Sequence, residues 1–173
     1  MALKDALYTL IKAQVGSEEL IFSDQNAPRP ALPYWTMRVQ SFRRLGSEFF
    51  GQGVDSLGVQ DIFGTREATI AIQRYGEDSD LKCQELVDNL SKTTIREAWA
   101  AQKISCYETG DVLNISQLLD KSIIEPRAAV DLFIRFGGKI QDEAGAIESV
   151  EMAGDLPEHD DAIDIVAVAS SVV

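Results

Sequence analysis

The strongest constraint on the 173-residue chain is a pair of segments whose apolar residues recur with a period of two. Between Tyr34 and Leu45, Trp35, Met37 and Val39 alternate with Thr36, Arg38 and Gln40. In a second run, Ala68, Ile70 and Ile72 alternate with Thr69, Ala71 and Gln73. Strand side chains point alternately to opposite faces, so each run reads as a half-buried strand and the two as antiparallel hairpin partners. The longest strand candidate runs from Arg127 to Phe136, with Val130, Leu132, Ile134 and Phe136 on one face. Such faces require a cover.

Helices supply it. Leu3, Leu7, Leu10, Ile11 and Val15 recur at steps of three and four, forming one apolar stripe on an opening helix that Gly16 ends. Asp78 or Ser79 is placed to cap a helix through Leu81, Leu86, Val87 and Leu90. Thr94 and Glu97 have capping-box spacing ahead of a short helix with Ile95, Ala98 and Trp99. Shorter elements are an edge strand at Leu20-Ile21-Phe22, a strand from Ile104 to Tyr107, a turn at Gly110-Asp111 and a helical turn at Ser116 to Leu119. A last strand is expected from Ala146 to Met152. Helix, strands, helices, strands is the order of an α+β fold: a mixed, mainly antiparallel sheet of four to five strands with helices packed on one face. Residues 1–153 form the domain, and 154–173 an acidic linker and apolar C-terminal arm.

Three segments stand outside this core pattern. Pro28, Arg29 and Pro30, followed by Pro33, make an extended, stiff entry to the first long strand, because each proline removes a backbone donor and restricts its neighbour. A glycine-studded stretch from Gly46 to Thr65 reads as a long loop carrying Phe49, Phe50, Ile62 and Phe63. Its aromatics either meet a partner or fold back onto the domain's own core. After Glu158-His159-Asp160-Asp161 the chain ends in Ile163, Ile165, Val166 and Val168, a β-prone arm that either adds a strand to another protein's sheet or docks on its own domain. The candidate contact residues are thus Pro28, Arg29, Pro30, Phe49, Phe50, Phe63, Ile163, Ile165, Val166 and Val168.

The residues argue against catalysis. His159 is the sole histidine and sits in the acidic tail, so one chain builds neither a His-dependent triad nor a multi-histidine metal site. No GxGxxG, GxxxxGK[ST] or GxSxG motif occurs. Asp78 with Asp80, Asp142 with Glu143, and the acidic tail are the carboxylate pairs an acidic chain produces as solvated charge, and they lack EF-hand spacing. No catalytic residue, cofactor or metal is expected. Cys83 and Cys106 have no CxxC spacing and read as buried small hydrophobes. A formal charge of -12 repels nucleic acid and anionic membranes alike, and Arg38, Arg43 and Arg44 are scattered over both faces of a strand. The N-terminal residues contain no continuous apolar run of the kind a signal peptide or membrane anchor uses.

The succession Gln25-Asn26-x-Pro28-Arg29-Pro30-x-Leu32-Pro33-Tyr34-x-Thr36, the hairpin, and Glu125-Pro126-Arg127-Ala128 running into Asp131-Leu132 resembles the neck or tail terminator proteins of tailed bacteriophages over residues 3 to 153. The resemblance implies a small α+β structural protein of the virion without enzyme activity. It implies a hexameric ring that stops tail-tube growth and joins the tail to the head-side connector, assembled in the host cytoplasm. Implied partners are the tail tube protein, adaptor proteins of the connector and, in a contractile tail, the sheath protein; genomic DNA passes the lumen without specific binding. The alternatives are a head-completion or adaptor protein or an assembly chaperone that forms no ring, and a carboxylate and metal-dependent hydrolase.

Overall fold

A computed structural model describes residues 3–26, 28–51, 53–55, 58–120, 123–143 and 145. The elements are α1 (Leu3–Val15), β1 (Glu19–Phe22), β2 (Tyr34–Phe50), β3 (Val59–Tyr75), α2 (Ser79–Leu90), α3 (Thr93–Ala101), β4 (Ile104–Thr109), β5 (Leu113–Asn114), β6 (Gln117–Asp120), β7 (Ile123–Glu125) and β8 (Arg127–Glu143). The main sheet has the order β1-β2-β3-β8-β4, with β5 also paired to β8, and β6-β7 form a separate hairpin. Only β1 runs parallel to its neighbour. The fold is the expected α+β one.

One face of the sheet carries Trp35 and Met37 from β2, Ala68, Ile70 and Ile72 from β3, and Val130, Leu132 and Ile134 from β8, all buried. Directly opposed pairs such as Met37 with Ile72 and Ile72 with Val130 share that face. All three helices cover it: Leu7, Leu10 and Ile11 of α1, Cys83, Leu86 and Leu90 of α2, and Trp99 of α3 join the same core. Gly16 ends α1 at φ 65, a left-handed conformation that favours glycine, while its N–H donates to Lys12 O at 3.2 Å. At the core edge the buried Arg74 forms an ion pair with the half-buried Glu18. Arg74 donates from Nε and Nη2 to the two oxygens of Glu18 at 2.9 and 2.8 Å, and Trp35 Nε1 donates to Oε2 at 2.5 Å. The Arg74 bond leads the influences that hold Glu18 below the usual carboxylate range. This cluster ties the α1–β1 turn to the ends of β2 and β3.

Several expectations are corrected. The stretch from Gly46 to Thr65 is not a loop: β2 continues to Phe50 and β3 begins at Val59, so strand pairing reaches Phe49 with Phe63 and Phe50 with Ile62. Alternation vanishes there because neither face is covered by helices, while backbone pairing persists. β8 likewise continues past Phe136 to Glu143, through Gly137 and Gly138. Residues 117–120 are a strand, not a helical turn, because they pair with β7. Asp78 is the N-cap of α2 and Lys92 that of α3, neither with a side-chain cap bond. Thr94 is therefore already inside α3. The strand expected from Ala146 to Met152, the boundary at 153 and the C-terminal arm lie outside the described residues.

Removing Glu18 leaves the buried Arg74 uncompensated, so Glu18→Ala is expected to cost about 3 kcal/mol. Leu81, on the solvent side of α2, is 66% exposed, and Leu81→Ala is expected to stay within about 0.5 kcal/mol. Urea unfolding midpoints at neutral pH measure both.

Candidate interaction surface

The three central strands are 17 residues each, roughly 56 Å at ~3.3 Å per residue, and the helices cover only the first halves of β2 and β8 and the second half of β3. Beyond the level of Ala68 and Ile134 they project as a three-stranded arm without a core of its own. Phe42 (62%), Phe49 (66%) and Phe50 (59%) are exposed there, with Leu45, Phe63 and Ile140 also counted among the exposed apolar residues. Phe49 stands opposite Phe63 on one face, and Phe50, Ile62 and Ile140 follow each other across three strands on the other. An exposed apolar surface of this continuity marks an interaction site.

Polar side chains brace the arm. At its root Arg43, Glu67 and Arg135 lie directly opposite one another across β2, β3 and β8. Glu67 is 5% exposed and takes both guanidinium groups, Arg135 Nη2 at 2.6 Å and Arg43 Nη2 by a second ion pair. Arg135 also lies 4.8 Å from the centre of the Tyr107 ring, which brings β4 into the row. Hydrogen bonding by Arg135, then Arg43, holds the Glu67 carboxyl below its ordinary 4.5. Further out, Arg66 bridges to Glu48 at 2.5 Å and lies across the paired Gly64 and Gly138. A Cβ on Gly138 would come within 3.2 Å of the Arg66 side chain, so the glycine leaves the room in which that side chain rests. Near the tip Lys139 pairs with Asp61 at 2.8 Å and lies 5.9 Å from the centre of the Phe63 ring.

The opposite end of the sheet holds the proline-rich entry. Arg29 lies 5.6 and 5.1 Å from the centres of the Tyr34 and Tyr75 rings, which stack at 4.6 Å, and it pairs with the buried Glu125 of β7. Pro28 is exposed and Pro30 half-buried. Around them Leu32, Leu113, Leu118 and Ile124 are each more than half exposed. The candidate residues therefore divide between two ends of the molecule: Pro28, Arg29 and Pro30 at the base, Phe49, Phe50 and Phe63 on the arm. Ile163, Ile165, Val166 and Val168 lie outside the described residues. Sequence reasoning missed Phe42, Ile140, Leu118 and Ile124; the continued period-two phase Phe136, Gly138, Ile140 was a readable signal for Ile140.

Reactive groups are sparse. Burial pushes both free thiols, Cys83 and Cys106, up to about 11, and Asp131 is also raised by burial. Among the described residues no group of three or more His, Cys, Asp or Glu is placed to hold a metal ion. No helix among them is long and apolar enough to cross a membrane.

A two-ended α+β body whose apolar residues outnumber the places its own core offers belongs to the class of structural assembly proteins. The family model of the phage neck terminator protein matches residues 1–160, and the chain belongs to that family. It is accordingly a structural component of the bacteriophage neck, at the junction of head and tail. No curated protein matches the chain.

Because the folded pKa of Glu67 is lowered, its contribution is complete above the unfolded value and disappears as pH falls through the folded one. Glu67→Gln is expected to flatten the loss of stability below about pH 4.5, and urea midpoints taken from neutral pH to about pH 3 test this. An unchanged acid slope would mean that the Arg43–Glu67–Arg135 row does not couple to folding.

Proposed function

We propose that this neck protein forms a hexameric ring that ends the tail tube and joins it to the head-side connector, with genomic DNA passing through the ring without specific binding. The observation that carries the reading is the arm: Phe42, Phe49, Phe50 and Phe63 are held on a paired scaffold and stay exposed among the described residues, the first three by more than half. Rigid aromatic anchors lose little entropy when buried at an interface.

Two further features support a ring. β1 covers β2 only from Tyr34 to Met37, so among the described residues β2 has an open edge from Arg38 outward. β4 covers β8 no further than Phe136, so among the same residues Gly137 to Glu143 is open on that side as well. These unlike edges lie at one level of the arm, since Leu45, Thr65 and Gly137 are in register. Contacts between unlike surfaces on identical copies are heterologous, and with no rise between copies they close into a ring. The exposed apolar residues at both ends suit a joint between two assemblies, the arm for one neighbour and the base around Leu118 and Ile124 for the other. The tail tube protein and a connector protein are the proposed partners, with the sheath protein added in a contractile tail. A net charge of -12 per copy disfavours adhesion to DNA.

Mass measurement of the purified chain mixed with its tail-tube protein tests the reading, with a ring expected near six times 19.0 kDa in addition to the mass of the bound tube protein. The double variant Phe49→Asp, Phe50→Asp is expected to abolish ring and tube capping while shifting the melting temperature by no more than about 3 °C, because both side chains are exposed. A variant that assembles normally on the tube would defeat the role given to the arm.

A further inference from the structure

β4 is the last strand of the main sheet, and among the described residues no strand pairs with its outer edge. Beside it lies a groove of two cavities, about 330 and 400 Å³, that share Arg96, Ser105 and Cys106. Its walls carry two carboxylates, Glu97 and Glu108, against the one cation Arg96. On the helix-free face, one row nearer the base, Asp131 is half-buried next to Gly110, whose N–H donates to Asp131 O at 2.7 Å. Glu97, Glu108 and Asp131 make no ion pair among the described residues. An acidic open edge suits a cationic strand. The other side of the sheet supplies one: from Arg38 to Ser47, β2 carries Arg38, Arg43 and Arg44 and no acidic residue, and all of it but Val39 is exposed. Arg38 also makes no ion pair among the described residues.

We infer that β2 of one copy adds to the outer edge of β4 of the next, antiparallel, with Arg38 placed between Glu108 and Asp131 of that neighbour. The inference rests on the ring reading above and names the surface through which copies join. Direction and register select this occupant. β2 and β8 both run antiparallel to β3, and β4 runs antiparallel to β8, so β2 and β4 point in opposite directions. Rows across the sheet fix the heights: Arg44, Arg66, Phe136 and Ile104 form one, and Phe42, Ala68, Ile134 and Cys106 another. A copy rotated into place without rise therefore sets Phe42 opposite Cys106 and Ser41 opposite Glu108 of its neighbour, main chain against main chain.

Arg38 is level with Asp131 through Ala71, and Glu108 is its diagonal neighbour across the joint, within reach of a long side chain. A Cβ on Gly110 would lie 3.5 Å from the Asp131 Cβ, so the glycine leaves open the space through which the guanidinium meets that carboxylate. The ring of Phe42 lies 6.4 Å from that of Phe136 in its own chain and stays 62% exposed, available to the groove beside Cys106. At the base β1 and β5 stand at one height on opposite sides of the sheet, so neighbouring copies need one strand width more there. The bulge between Val39 and Ser41 bends β2 at the height where that change occurs. The joint also covers two edges that would otherwise template aggregation.

Cys106 provides the test. Directly opposed residues of an antiparallel pair have Cα atoms about 4.5 to 5.5 Å apart, within the range a disulfide spans. The full chain carrying Phe42→Cys is mixed with its tail-tube protein, oxidised with copper phenanthroline and run on a non-reducing gel, while the mass of the assembly is measured in parallel. A ladder of covalent multimers is expected, absent when Cys106→Ser is added and about tenfold weaker for Arg44→Cys, which stands opposite Ile104 instead. Equal ladders at 42 and 44, or a ring by mass without links at 42, would overturn the pairing, and the second result leaves the ring reading standing. Links that stop at dimers would uphold the pairing and defeat the ring, whereas neither assembly nor links would overturn both. Charge exchange gives a second reading without cysteine chemistry. Arg38→Glu is expected to raise the concentration needed for assembly about tenfold, and Glu108→Arg in the same chain to bring it back. No loss, or a loss that Glu108→Arg does not mend, would likewise overturn the proposal.

Discussion

The structure depends on β3 being held between two long strands. Every residue from Val59 to Tyr75 faces a partner on β8, and from Thr65 to Tyr75 every one also faces a partner on β2. In the covered half this pairing is reinforced by apolar burial, the largest favourable contribution in folding. In the arm it stands nearly alone. The main chain there keeps its hydrogen bonds, so the strands persist where the side chains have nothing to bury. The Arg43–Glu67–Arg135 row marks the change of regime, since it places a buried carboxylate between two arginines at the height where the helices stop. Each arginine is largely exposed at its far side, so the row contributes alignment of three strands more than net stability.

That division explains what could be read from the sequence. Val39 with Ile70, or Ile72 with Val130, alternated because one face is buried and the other wet, and the strands, their pairing and the α+β class followed. In the arm both faces are wet. Phe49, Phe50, Ile62 and Phe63 then look irregular, Gly46 resembles a turn, and Gly137-Gly138 resembles a stop, although Gly138 makes room for Arg66. Residues 117–120 misled for a related reason: a four-residue strand has too few positions to display a period. The capping pattern at Thr94 and Glu97 failed because the helix is capped two residues earlier, at Lys92.

The candidate contact residues were legible by composition and not by location. Aromatics and prolines in breaker-rich stretches mark surfaces, yet the stretches themselves do not reveal that Phe49 and Arg29 lie at opposite ends of one sheet. That placement came from Tyr34 opposing Tyr75, residues 41 positions apart, with Arg29 stacked against both. Arg29 also serves its own chain through Glu125, so the stiff entry is anchored at home even where its outer surface remains available.

Charge adds the last constraint. Residues 1–145 contain sixteen basic and twenty-one acidic residues, whereas 146–173 contain seven acidic ones alone, so over half of the net -12 belongs to the C-terminal 28 residues. Residues 1–145 are therefore only mildly acidic and are internally compensated by cross-strand pairs. Copies approaching one another therefore repel chiefly through the charge of residues 146–173. The aromatic arm would then meet its neighbours on a surface where apolar burial, weakly opposed by charge, decides the contact.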